Sequence, residues 1–114
     1  MAFLTELCYL DSNETILQFD SNGGLSGIEQ SGNFFTNEAV YSYWREDNIY
    51  NKYGAFYPEI DSIQYFDKVT AITLSSYATV FHDSSCFNVY IDADKERTWQ
   101  FFDSLEATWQ RNRN

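Results

Sequence analysis

The stretch FNVYIDADKERTWQFFDSLEATWQRNR, residues 87–113, contains the change of period on which the fold turns. In its opening residues Phe87, Val89 and Ile91 alternate with Asn88 and Tyr90, the period of a strand with one buried face. From Asp94 onward Trp99, Phe102, Leu105 (or Glu106) and Trp109 recur at intervals of three and four, the spacing of a helix that buries one stripe. Asp94 can cap the start of that helix, and Arg111 and Arg113 put positive charge at its end, where the helix dipole favours it. Trp99, Phe102 and Trp109 are therefore expected in the core.

Upstream, residues 77–82 read as the partner strand, joined through the turn Asp83-Ser84-Ser85, and residues 69–74 read as another strand. Residues 3–10 read as a strand that ends at Asp11-Ser12-Asn13. In a further strand, 15–20, Leu17 and Phe19 share one face and Ile16 and Gln18 the other. Asn22-Gly23 is a hairpin signal, because both residues tolerate positive φ. The return strand would hold Leu25 and Ile28, shortened or bulged by Gly27 and Gly32. Thr36 or Asn37 can cap a short middle helix through Ala39, Tyr43 and Trp44, although residues 40–44 are also good strand material. Residues 48–58, ending at the single proline Pro58, read as an aromatic-studded loop.

The expected fold class is α+β. Residues 1–114 make one acidic domain with an antiparallel sheet of about five to six strands, a C-terminal helix on one face and a short middle helix. The core is affordable, since 44% of residues are apolar and 19% aromatic, far above a disordered acidic tail. Strands followed by a Trp-bearing terminal helix resemble, in element order, the pleckstrin-homology-type domains. The basic phosphoinositide-binding loop of that family has no counterpart in this chain.

Charge gives the functional direction. The chain carries 17 acids against 7 bases, a net −10. No lysine or arginine precedes Arg45, whereas Glu6, Asp11, Glu14, Asp20, Glu29 and Glu38 all do. Such a field repels nucleic acid and anionic membrane and attracts basic protein surfaces. The N-terminus has no basic n-region or small-residue cleavage site, and no apolar run is long enough to span a bilayer, so a cytoplasmic location with Cys8 and Cys86 reduced is expected. Asn13-Glu14-Thr15 fits a glycosylation acceptor but reads as a turn.

No catalytic constellation is complete. His82 and Cys86 have Asp83 nearby but flank a hairpin turn that would separate them unless they pair across it, and the chain's one histidine and two cysteines cannot close a four-ligand zinc site. Asp92-Ala93-Asp94 opens like a calcium loop, but Arg97 stands where glycine is needed and Asp103 where a glutamate is usual. Asp20-Ser21-Asn22-Gly23-Gly24 lacks the closing acid. No catalytic residue, metal or cofactor is assigned, and the chain is not expected to be an enzyme.

The expected function is a small acidic inhibitor that occludes a basic, nucleic-acid-handling protein, a nuclease or a nucleic-acid-binding complex, with its carboxylates standing in for phosphates. Anti-restriction, anti-CRISPR and toxin-immunity proteins share this physics. The expected contact residues are Glu6, Asp11, Glu14, Asp20 and Glu29 on one face, with Trp44, Tyr50, Tyr53, Phe56 and Tyr57 as aromatic anchors. The rival readings are a structural subunit of a virion or complex, and a small-molecule binder.

Overall fold

The computed structural model describes residues 2–8, 10–20, 31–66, 76–91 and 95–113. In chain order these form helix α1 (Ala2–Cys8) and strands β1 (Ile16–Asp20), β2 (Ser31–Thr36), β3 (Ala39–Glu46) and β4 (Ile49–Phe56). A 3-10 turn (Tyr57–Glu59), strands β5 (Ile60–Phe66), β6 (Ser76–His82) and β7 (Ser85–Ile91), and helix α2 (Lys95–Asn112) follow. The α+β class and the terminal helix stand. The strands divide into two antiparallel sheets, β1-β2-β3-β4 and β5-β6-β7, instead of one sheet of five or six. Pro58 explains the division: it has no N–H to continue the ladder, and the chain leaves β4 through a turn in which Glu59 Oε1 accepts from the Phe56 N–H at 3.1 Å.

The first sheet carries a buried cluster on each face. On one, Phe35, Val40 and Ala55 join Val80, Val89 and the α2 residues Phe101, Phe102, Leu105 and Trp109 in the main core. On the other, Phe34 and Tyr43 meet Leu4 of α1 and Leu10, with Ile16 and Phe19 packed alongside. Gly32 belongs to this second layer. A Cβ there would lie 2.7 Å from both the Phe19 and Tyr43 rings, so the two rings close over it only because it has no side chain.

Several expectations from the sequence give way. Residues 3–10 are helical at Ala2–Cys8, because Leu4, Leu7 and Cys8 fall on one helical stripe and all reach the second core layer. β1 forms, but a bulge between Ile16 and Gln18 puts Ile16 and Phe19 on the same cluster and leaves Leu17 44% exposed. The expected middle helix is strand β3: Thr36 Oγ1 accepts from the Glu38 and Ala39 N–H groups at 3.0 Å each, so the anticipated helix cap closes a hairpin turn. The aromatic loop at 48–58 is mostly β4, paired with β3 across a two-residue turn in which Asp47 takes φ 58. β5 was not anticipated.

The last third agrees better. β6 and β7 pair through Asp83 (φ 46) and Ser84 (φ 65), the two positive φ values of a type I′ turn, and Phe87, Val89 and Ile91 are buried. On α2, Phe102, Leu105 and Trp109 are buried as expected, but Trp99 is 36% exposed and meets Phe102 edge-on at 5.7 Å. Phe101 fills the core instead, edge-on to Phe35 at 5.0 Å. The Asn22-Gly23 turn, Leu25, Ile28, residues 69–74 and the Asp94 cap lie outside the described residues. Among the described residues no helix is long and apolar enough to cross a membrane.

Candidate functional site

Two places gather the residues singled out from the sequence. The first is a polar corner where the turn before β1 meets the β2–β3 turn. Asp11, Glu14 and Glu38 bring one carboxylate oxygen each within 4.8 Å of one another. Glu14 Oε2 accepts from the Thr36 hydroxyl at 2.7 Å and the Tyr41 hydroxyl at 2.9 Å, and its Oε1 accepts from the Asp11 N–H at 3.3 Å. Asn37 ties the same turns together, accepting from the Thr15 N–H at 2.6 Å and donating to the Asn13 carbonyl at 3.1 Å. Burial, then the bond to Glu14, raises the Tyr41 hydroxyl far above its ordinary range, so it stays a donor. Glu38 Oε2 is shut off from solvent and has no donor among the described residues. Desolvation, then the contact with Asp11 and the charges of Asp11 and Glu14, raises its carboxyl. The three carboxylates are the residues here that could hold a hard cation, and Glu14 already gives three of its acceptor positions to the turns and to Tyr41.

The second place is the seam where β7 crosses the first sheet. Val40, Ser42 and Trp44 share the β3 face toward it, and β4 places Tyr53 opposite Ser42. Trp44 stacks on Tyr53 (5.3 Å between centroids, 22°), and Tyr53 stacks on Phe87 (6.1 Å, 17°). Phe87 is buried, whereas Trp44 (39%), Tyr53 (44%) and Tyr90 (38%) stay open to solvent. Asn33 pins the crossing, its Oδ1 accepting from the Tyr90 N–H at 3.0 Å and the Ser42 hydroxyl at 2.8 Å. The rings border a groove of about 230 Å³.

The other expected contact residues scatter. Glu6 is exposed on α1. Asp20 is buried at the end of β1, which takes it off the surface. Tyr50 faces away from the seam, 6.3 Å from Tyr43. Tyr57 is wholly buried and donates to the Thr36 carbonyl at 2.6 Å, a core role. Glu29 lies outside the described residues. Phe56 is exposed and borders a separate cavity of about 350 Å³ between α1 and β4, with Leu7, Cys8, Tyr41, Lys52 and Gly54. Burial pushes the Cys8 thiol up to about 11, against a partial offset from Lys52, so it is a poor nucleophile. Tyr90 and Phe87 complete the seam and were not anticipated as site residues. Their signal was the β7 alternation itself, which puts Tyr90 on the strand's outer face.

The remaining chemistry separates in space. The β6–β7 register pairs His82 with Ser85 and Cys86 with Phe81, so imidazole and thiol point to opposite faces of the hairpin. Both cysteines are free.

No family model matches the chain, and no curated protein matches it. A solved structure does: the C-terminal domain of an unknown protein from Leishmania infantum, with a TM-score of 0.60 at 18% identity, covering 96% of this chain and 95% of that one. At that identity the likeness establishes a shared fold and nothing about activity.

Proposed function

We propose that this domain binds a basic surface on a nucleic-acid-handling protein, of the nuclease class, and occludes it, as inhibitors of the anti-restriction, anti-CRISPR or immunity kind do. The observation that carries the reading is the half-exposed Trp44–Tyr53 stack on a domain of net charge −10. Large aromatics held by a rigid sheet and left in water are the usual anchors of protein interfaces. The charge excess selects partners of opposite sign and speeds their encounter. Of the acids expected at the contact, Glu6 and Asp11 are exposed, while Glu14 and Asp20 are drawn inward.

The test is capture from a lysate at low salt, followed by a salt step. The expected result is one nucleic-acid-binding protein, released by high salt, displaced by duplex DNA and lost with Trp44→Ala. Recovery of this chain alone would favour the assembly reading. The cavity between α1 and β4 favours a second reading, a small apolar ligand, because its volume lies within the ordinary range of ligand pockets. A ligand that raises the melting temperature through that cavity should lose its effect when Gly54 is replaced by a larger residue.

A further inference from the structure

We propose that the seam groove bordered by Trp44, Tyr53 and Tyr90 receives an arginine side chain of the partner, its guanidinium laid against the aromatic surface that these rings leave open. This rests on the partner-binding reading above and names the group that the site recognises.

The groove is lined by Trp44, Tyr53, Cys86, Phe87, Asn88 and Tyr90, none of them charged. Its walls are held in place. Trp44, Tyr53 and Phe87 form a near-parallel stack, and the Tyr90 hydroxyl accepts from Asn88 Nδ2 at 3.0 Å while Asn88 Oδ1 accepts from Thr79 at 2.7 Å. Aromatic faces carry negative potential, and a planar, weakly hydrated guanidinium is the cation best suited to lie on them. This chain makes such a contact itself: the Arg113 guanidinium carbon sits 4.8 Å from the Trp109 ring centroid.

The surrounding charge distinguishes a cation from a plain apolar anchor. Glu46 and Asp47 are exposed at the β3–β4 tip beyond Trp44, where they outnumber the one base there, Arg45, and Asp83 is exposed at the β6–β7 tip just before Cys86. An apolar side chain would gain nothing from this field, whereas an arginine gains both the ring face and the potential. A lysine ammonium keeps its hydration shell and has no plane to match the ring.

The experiment is a two-dimensional NMR titration of the full chain with the peptide acetyl-Gly-Arg-Gly-amide, its lysine counterpart, and its citrulline counterpart, which has nearly the same shape and no charge. The arginine peptide should shift the Trp44 indole and the Tyr53 and Tyr90 signals and bind at least about ten-fold more tightly than the citrulline peptide. Trp44→Leu and Tyr53→Leu, each folded by its amide spectrum, should abolish the shifts. Unmoved Trp44 signals, or equal binding of the citrulline or lysine peptide, would overturn the inference. Salt-sensitive capture of a basic partner beside a silent arginine titration would sink the arginine site and leave the partner reading standing.

Discussion

The polar corner and the aromatic seam use opposite materials for opposite ends. At the corner, charge is spent on structure: Glu14 accepts three hydrogen bonds, from the Asp11 N–H and from the Thr36 and Tyr41 hydroxyls. At the seam, apolar surface is left in water: Trp44, Tyr53 and Tyr90 each keep more than a third of their surface exposed although a core lies directly beneath them. A charged residue on an acidic protein is thus no guide to its binding face, because a carboxylate can be the best available acceptor for hydroxyls that a tight turn would otherwise strand. An aromatic on a strand is no guide to the core when a crossing strand buries only its inner edge.

The comparison breaks most visibly at Glu14. Glu14→Ala leaves the Tyr41 hydroxyl without its acceptor and the Thr36 hydroxyl with only a long 3.4 Å bond to the Ala39 carbonyl, and should cost roughly 2–3 kcal/mol in urea unfolding. A double-mutant cycle with Tyr41→Phe should give a coupling of about 1 kcal/mol or more; independent, additive losses would mean that the corner is not a unit. The seam should respond far less. Trp44→Leu keeps an apolar side chain over Tyr53 and should cost about 1 kcal/mol, while abolishing partner capture. A loss as large as that of Glu14→Ala would mean that Trp44 is a structural residue after all.

How much of this was legible follows from what each segment's neighbours do. The hairpin before α2 and the helix itself could be read because alternation, turn residues and helical spacing all agree there, and each packs one face on a common core. Residues 33–66 resisted because the first sheet carries a buried cluster on each face, so Phe34 and Phe35, or Val40, Tyr41 and Tyr43, are apolar in succession and no clean period survives. The turn at Asp47-Asn48, flanked by aromatic and β-branched residues, was the signal that would have recovered β3 and β4 as a hairpin. Trp44 and Tyr53 were picked from the sequence, but their stack was not, because it depends on the β3–β4 register. The corner was invisible for a similar reason: Glu14 and Thr36 are 22 residues apart and meet only when β1 pairs with β2.

The finest test of the corner uses pH. A carboxylate has no proton to give, so Asp11 and Glu38 make a hydrogen bond only when one of them is protonated. Glu38 has its carboxyl raised above the ordinary 4.5, by desolvation first, then by the contact with Asp11 and the charges of Asp11 and Glu14. A raised acid binds its proton more tightly in the folded state than in the unfolded one. Its stabilising effect is therefore complete below the ordinary value and is lost as pH rises through the raised one. Glu38→Gln replaces that proton with a permanent amide donor. It should raise the melting temperature at pH 7, and its advantage over the native chain should shrink as the pH falls toward 4. An advantage that stays constant across that range would show that Glu38 does not share a proton with Asp11, and would leave Glu14 as the sole acid that the corner needs.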